Sequence, residues 1–163
     1  MELNYCPRCG APLHLREHPT DGQIQYCDAC GDYRYPLFSA AVSVVVVDRD
    51  MKNTLLIRQY GKPQDVLVAG YVDKGERAEH AERRELMEEL GLEAERIRFL
   101  GSHYYEPSET LMLNFAAVVG ETEAHPNWEV DSWRWLSLEE ARRSVKPQSL
   151  AETLLNDFFE PVF

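Results

Sequence analysis

The sequence has few basic residues, and it lacks a hydrophobic run long enough to cross a bilayer. Its 163 residues include 17 Lys and Arg against 28 Asp and Glu, a formal net charge of −11. Such a chain repels polyanions, so duplex nucleic acid is not expected as a partner. The longest apolar run, residues 40–47 with one serine inside it, is far below the ~20 residues of a membrane span. Because the N-terminus also lacks an apolar signal-peptide core, we expect a soluble cytoplasmic protein without a membrane partner.

Cysteine is absent from the last four fifths of the chain, and the cysteines that are present lie close together. They form two Cys-x2-Cys pairs separated by 17 residues: Cys6, Cys9, Cys27 and Cys30. Two such pairs are typical of a zinc ribbon, in which each tight turn offers two thiolates to a tetrahedral Zn²⁺. Two disulfides are the alternative, but a Cys-x2-Cys pair bridges poorly and a cytosolic chain keeps its thiols reduced. The sequence therefore predicts a structural zinc bound by all four cysteines.

The composition changes after the ribbon segment, at a proline that stiffens the connection. We predict two domains, a zinc ribbon over residues 1–36 and a larger domain over residues 37–163. The first is too short to build a self-sufficient core, so the metal should supply its folding energy.

The larger domain shows short β-branched and apolar segments around one strongly helical stretch. That helix is predicted over residues 78–90, where Gly91 ends it, and two further helices are predicted over residues 138–144 and 148–159. The remaining apolar segments are predicted strands. This order indicates an α+β fold or an α/β/α sandwich, with a mixed sheet flanked by helices.

Six glutamates fall within fourteen residues of the central helix and the loop before it. Glu85, Glu88 and Glu89 are related by i, i+3 and i+4, so their carboxylates share one helix face. Like charges at this spacing destabilise a bare helix, and bound Mg²⁺ or Mn²⁺ would remove that cost. Arg84 can orient one carboxylate through a charge-assisted hydrogen bond. A solvated acidic helix with Arg and Glu pairs is the alternative interpretation.

The stretch from Gly70 to Leu92 fits the pattern Gly-x5-Glu-x7-Arg-Glu-apolar-x-Glu-Glu-x-Gly-apolar at every fixed position. It resembles the Nudix box of the Nudix hydrolases. The resemblance implies a Nudix α/β/α sandwich that follows the small four-cysteine ribbon. It also implies hydrolysis of a pyrophosphate by a catalytic Mg²⁺ or Mn²⁺ that shields the diphosphate and activates water. The residues it implies for catalysis are Glu76, Arg84, Glu85, Glu88 and Glu89, of which the last three would bind the metal.

A finer resemblance covers almost the whole chain, because a four-cysteine ribbon running straight into a Nudix domain is similar to the NADH pyrophosphatase group. The Tyr-Pro after the last cysteine and the segment from Leu67 to Glu76 match that group. The resemblance implies a backbone metal contact from Ala69, a further carboxylate ligand at Glu129, and substrate contacts from Tyr35 and Ala151. The group also suggests a homodimer, for which the C-terminal apolar residues offer a surface: Phe158, Phe159, Val162 and Phe163.

One departure from that group concerns its Ser-Gln-Pro-Trp-Pro-Phe-Pro-x-Ser array after the box. The chain has Ser-His-Tyr-Tyr-Glu-Pro-Ser-Glu-Thr over residues 102–110, and only Ser102 is retained in an ungapped alignment. Tyr105 falls on the tryptophan of the array. Tyr104 and Tyr105 are candidates for stacking on a base or a nicotinamide ring, and core packing of these strand aromatics is the alternative. We therefore expect a weaker preference for NADH than in relatives that carry the full array.

The resemblance implies a small-molecule nucleotide substrate, either an NADH- or NAD-like dinucleotide or ADP-ribose, that is cleaved to release AMP. Dinucleoside polyphosphates, damaged nucleotides and the NAD cap of RNA stay open as alternatives. A nucleic-acid-binding or regulatory ribbon protein is less well supported, because residues 1–36 hold three arginines against five acidic residues. A catalytically inactive Nudix regulator would be expected to lack box glutamates, and all are present here.

Overall fold

The computed structural model describes residues 3–159, and the chain divides into two compact units. The first unit ends at Phe38 and the second begins at Ser39. Among the described residues, no helix is both long enough and apolar enough to cross a membrane.

The first unit is a three-stranded antiparallel sheet with two cysteine-bearing turns. Its strands are β1 (His14–His18), β2 (Gly22–Cys27) and β3 (Asp32–Arg34), which pair in that order. Tyr26 and Tyr33 lie opposite each other on β2 and β3, with their ring centroids 4.9 Å apart. The sheet is small, so these side chains bury little apolar area, consistent with a need for another source of stability.

The second unit is built on a six-stranded mixed sheet. The strands are β4 (Ser39–Val47), β5 (Asn53–Gln59), β6 (Val68–Tyr71), β7 (Ala94–Tyr105), β8 (Thr110–Val119) and β9 (Val130–Ser137). Their order is β7-β8-β4-β5-β9, and β6 also pairs with β4. The helices are α1 (Ala78–Leu90), α2 (Leu138–Ser144) and α3 (Leu150–Phe159). The β4–β8 pair is parallel and the other pairs are antiparallel. The predicted mixed sheet is therefore confirmed.

The central strand β4 is covered on both faces, which explains its continuous run of β-branched residues. Val44 and Val46 pack in a buried cluster with Leu86 and Leu90 of α1. Val45 and Val47 point the opposite way, into a second buried cluster that contains residues of α2 and α3. The sheet is thus sandwiched between helices, as the α/β/α expectation requires.

The helix boundaries follow from local chemistry. α1 ends at Leu90, because Gly91 follows with a φ of 65° and donates its N–H to the carbonyl oxygens of the last turn. α3 begins at Leu150, two residues later than predicted, because Ser149 caps it. The Ser149 hydroxyl accepts the N–H of Glu152 at 3.3 Å, and the Glu152 carboxylate accepts the N–H of Gln148 at 2.7 Å.

The homodimer surface expected at the C-terminus is described only in part. Val162 and Phe163 lie outside the described residues. Phe158 packs against the α2–α3 side of the core, and the Arg98 guanidinium lies 5.3 Å from the centre of its ring. The homodimer stays a prediction.

Glu82 is an unusual element of the core, because a charged residue of α1 is completely buried. Neither of its carboxylate oxygens has a hydrogen-bond partner among the described residues. Burial in a medium of low polarity raises the pKa of Glu82 to about 7, and nearby Arg83 opposes that shift only in part. Ionisation of this side chain therefore opposes folding.

Replacing Glu82 by Gln should make the protein less sensitive to rising pH. Between about pH 4.5 and about pH 7, Glu82 keeps its proton in the folded state and loses it in the unfolded state. The wild-type free energy of unfolding should therefore fall as pH rises from about 4.5 through about 7, and stay lower above that range. The free energy of unfolding of the Glu82→Gln variant, relative to wild type, should therefore increase by about 3 kcal/mol between pH 4.5 and 8. Urea unfolding at a series of pH values across this range measures the free energy of unfolding of both proteins. Glu79→Gln, an exposed change on the same helix, is the control, and a constant difference between Glu82→Gln and wild type would refute the burial cost.

Candidate active site and metal centres

The four cysteines of the first unit converge on one point. Their sulfur atoms all lie within 4.8 Å of one another, with 4.0 Å between Cys6 and Cys30 and 3.6 Å between Cys9 and Cys27. Four thiolates around a tetrahedral zinc at about 2.3 Å would be about 3.8 Å apart. A disulfide would need about 2.05 Å, and all four cysteines are free. The cluster therefore fits a zinc ion.

The two turns that carry these cysteines have the same geometry. Gly10 and Gly31, which follow the two pairs, have φ angles of 73° and 65°. Each glycine donates its N–H at 2.8 Å to the carbonyl of the first cysteine of its pair. Arg34 donates its Nε–H to the sulfur of Cys6 at 3.2 Å, which offsets part of the negative charge that four thiolates would carry.

Four of the five predicted catalytic residues line a cleft of the second unit beside α1 and β6, and the fifth, Glu76, contacts Arg84 at its border. The cleft has a volume of about 560 Å³. Seven of the predicted site residues line it: Ala69, Arg84, Glu85, Glu88, Glu89, Tyr105 and Glu129. These seven residues come from four segments of the chain: β6, α1, the end of β7 and the segment before β9.

Gly70 brings Glu85 into this cleft by leaving room for it. A Cβ atom at position 70 would lie 1.9 Å from the carboxyl carbon of Glu85 and 2.0 Å from one of its oxygens. Gly70 pairs with Val42 of the central strand, so the backbone of β6 has little freedom to retreat. The first glycine of the sequence pattern is therefore a packing requirement for the Glu85 carboxylate.

Arg84 holds three of the glutamates in place. It makes a bidentate pair with Glu76 at 2.9 and 3.0 Å, and its Nη1 donates to Glu85 at 2.6 Å and to Glu88 at 3.2 Å. The hydrogen bonds from Arg84 lower the pKa of Glu76 to about 2. Glu76 therefore remains an anion, and this ion pair fixes the start of the box against α1.

Glu89 is the most buried carboxylate of the cleft. It is 3% exposed, and its Oε2 has no hydrogen-bond partner among the described residues. Burial, followed by the charge of Glu85, raises the pKa of Glu89 to about 8. Burial also raises the pKa of Glu85. Carboxylates that crowd together with an unsatisfied oxygen form a donor set that suits a hard divalent cation such as Mg²⁺ or Mn²⁺.

A second cavity of about 500 Å³ continues from the cleft and shares four of its lining residues, Ala69, Tyr105, Met112 and Leu150. Ala151 lines this cavity. Its walls are mainly apolar, and two lysines, Lys62 and Lys146, line it from the loops before β6 and before α3.

The remaining predicted substrate contacts do not line these two cavities. Ser102 and Tyr104 are exposed on β7, where they pair with Leu113 and Leu111 of β8. Tyr35 belongs to the first unit, where its hydroxyl donates to Asp21 at 3.1 Å. Their roles stay predictions.

Among the residues of the cleft wall that sequence reasoning missed is Tyr60. It lines the cleft from the turn after β5, and its hydroxyl donates to the Glu129 carboxylate at 2.5 Å. The two residues lie 69 positions apart, and no local pattern links them.

Comparison with known proteins agrees with this geometry. The NUDIX domain family matches residues 37–156. The chain belongs to the Nudix family. The predicted resemblance and fold are therefore confirmed, and residues of the matching sequence pattern line here a cleft around Glu85.

Relatives of known name also match across the ribbon and the Nudix domain. An NAD-capped RNA hydrolase NudC of Stutzerimonas stutzeri is 31% identical over 155 residues, which cover 93% of this chain and 54% of that protein. The NAD-capped RNA hydrolase ndx-9 of Caenorhabditis elegans is 28% identical over 159 residues, which cover 93% of this chain and 41% of that protein. The chain thus spans about half the length of these relatives.

Solved structures show the same fold at low sequence identity. A Nudix hydrolase of Nitrosomonas europaea aligns with a TM-score of 0.70 at 18% identity, over 96% of this chain and 88% of that one. The Nudix domain of Shewanella oneidensis NrtR, solved with ADP ribose, aligns with a TM-score of 0.63 at 16% identity, over 82% of this chain and 91% of that one.

The cysteine cluster predicts one tightly held zinc per chain. Replacing Cys27, a buried member of the set, by Ser should abolish stoichiometric zinc and unfold the first unit, because this unit has little core of its own. Elemental analysis and far-UV circular dichroism measure both effects. His14→Ala, on the same sheet but outside the thiolate set, is the control. Full zinc content in Cys27→Ser, or a folded ribbon without metal, would contradict the prediction.

Proposed function

We propose that this protein is a metal-dependent Nudix hydrolase that cleaves the diphosphate of an NADH- or NAD-like dinucleotide or of ADP-ribose and releases AMP. The observation that carries the proposal is the Glu85 carboxylate. It lies against Gly70, is held by Arg84, and shares one cleft with Glu88, Glu89 and Glu129. This set of oxygens is suited to a divalent cation bound to a diphosphate.

The residues that would hold the catalytic metal are Glu85, Glu88, Glu89 and Glu129, with the carbonyl of Ala69. A divalent cation bound there supplies charge neutralisation and lowers the pKa of an attacking water. Arg84 keeps the glutamates oriented, because its guanidinium contacts Glu76, Glu85 and Glu88 at once. The cluster of carboxylates also repels a diphosphate that arrives without metal, so cation and substrate should bind together.

The second cavity is the proposed site of the moiety attached to the diphosphate. Leu67, Leu150 and Ala151 give it apolar walls, and Tyr105 lines both this cavity and the cleft. An aromatic side chain at this junction can pack against a base or another ring. A ring-binding surface beside a metal-binding surface would suit a nucleoside diphosphate compound, and the continuity of the two cavities supports this proposal.

The names of the relatives support a second candidate, removal of the NAD cap from RNA. Both of the relatives named above are called NAD-capped RNA hydrolases. The observation in this chain that favours it is the pair Lys62 and Lys146 beside the second cavity. Among the described residues neither ammonium group has a carboxylate partner within ion-pairing distance, so both can contact the phosphates of a single strand. The acidic charge of the chain as a whole still opposes binding of duplexes.

A panel of substrates tests the proposed reaction. With Mg²⁺ or Mn²⁺, the protein should release AMP from NADH, NAD⁺ and ADP-ribose, and kcat/KM for NADH should exceed the others by less than about a hundredfold. The reason is that metal activation needs only the diphosphate, whereas Tyr105 stands where the related group has tryptophan. Chromatography of the products, with NAD-capped RNA and diadenosine polyphosphates included, measures the ratios.

Glu85→Gln and Glu89→Gln are the matched inactive variants, and each should lower turnover at least ~10²-fold while leaving the fold intact. Activity near that of wild type in either variant would refute the proposed metal site. No hydrolysis of any compound by the wild-type protein would refute the proposed reaction. A hundredfold or greater preference for NADH would refute only the relaxed selectivity.

A further inference from the structure

Tyr60 makes two contacts with the same residue of the cleft. Its hydroxyl donates to Oε2 of Glu129 at 2.5 Å, and its backbone N–H donates to the Glu129 carbonyl at 3.3 Å. The next residue, Gly61, donates its N–H to the Asp131 carboxylate at 2.6 Å. The turn after β5 therefore binds Glu129 and, two residues further on, Asp131 at the start of β9.

The same segment is attached to the end of α1. Asn127 donates its N–H to the Glu89 carbonyl at 3.0 Å, and His125 donates to the Leu90 carbonyl at 2.8 Å. These carbonyls belong to the last helical turn, where the helix itself supplies no donor. The Asn127 side chain then accepts the N–H of Glu129 at 2.9 Å. The backbone of Glu129 is thus tied to the helix that carries the other carboxylates of the cleft.

The backbone of Tyr60 is held in a conformation that a bulky residue rarely adopts. Its φ is 55°, in the left-handed region, although its side chain is more than half exposed. Burial of the ring contributes little, since its aromatic neighbour, Trp128, is 83% exposed. Such a conformation persists only where the surrounding contacts hold it in place. Among the contacts of this residue is the hydrogen bond from its hydroxyl to the Glu129 carboxylate.

We propose that Tyr60 is a positioning residue that fixes the Glu129 carboxylate for the catalytic divalent metal. The Tyr60 hydroxyl donates a hydrogen bond to Oε2 of Glu129. Oε1 of Glu129 has no hydrogen-bond partner among the described side chains, so it stays available to the cation. Without the hydroxyl, the half-buried Glu129 side chain would have to be ordered at the moment the metal binds, at a cost in conformational entropy. The proposal rests on the proposed metal-dependent function.

Tyr60→Phe tests this role, because it removes the hydroxyl and keeps the ring and the backbone contact. In zinc-loaded protein without substrate, the dissociation constant of Mn²⁺, measured by electron paramagnetic resonance of the free ion, should rise about tenfold. Glu129→Gln should weaken Mn²⁺ binding at least as much. The double variant should bind no more weakly than Glu129→Gln alone, because the hydroxyl acts through this carboxylate. At saturating Mn²⁺, kcat of Tyr60→Phe should return towards that of wild type.

Tyr33→Phe is the matched control, since it removes a tyrosine hydroxyl that donates to the Glu17 carbonyl at 2.9 Å in the first unit. It should leave Mn²⁺ binding unchanged. Unchanged Mn²⁺ affinity in Tyr60→Phe, or additive losses in the double variant, would overturn the proposal. Such results would leave the proposed hydrolysis standing if the wild-type protein still cleaves its substrates. Absence of hydrolysis by wild type would instead overturn the proposed function.

Discussion

The contact between the Glu85 carboxylate and the bare backbone of Gly70 is the constraint on which the cleft depends. It lets α1 approach β6 so closely that a Cβ atom would overlap the carboxylate. Arg84 then fastens the same carboxylate to Glu76, in the loop between β6 and α1. Strand, loop and helix are thereby locked into one arrangement, and the acidic face of α1 is turned into the cleft.

This arrangement is electrostatically unfavourable without a cation. Glu85 and Glu89 are both withdrawn from water, and burial raises the pKa of each. One arginine cannot neutralise the whole cluster, and it is already engaged by Glu76. Packing of the apolar side of α1 against the sheet holds the carboxylates together nonetheless. The fold therefore keeps a binding site ready at the expense of its own stability, which a divalent metal would restore.

Features that depend on local spacing could be predicted from the sequence. The end of α1 follows from Gly91, the cysteine quartet from its two Cys-x2-Cys pairs, and the shared face of the glutamates from their spacing of three and four residues. Tertiary contacts decided the rest. Glu82 is buried although its charged side chain predicts exposure. Tyr60 and Glu129 are far apart in the sequence, and the pairing of β5 with β9 brings them together. Substrate contacts at Ser102, Tyr104 and Tyr35 rest on resemblance alone.

The most direct test of this account is the Mn²⁺ affinity and rate of NAD⁺ hydrolysis of Gly70→Ala. The added methyl carbon would lie 1.9 Å from the carboxyl carbon of Glu85, whereas real contacts of this kind exceed 3.0 Å. The carboxylate must therefore move by more than 1 Å. We expect hydrolysis to fall at least ~10²-fold, with weaker Mn²⁺ binding and an unchanged zinc content. Gly120→Ala, where the new methyl group meets only the movable ends of Arg49 and Glu95, is the control. A folded Gly70→Ala protein with wild-type Mn²⁺ affinity and turnover would contradict the account.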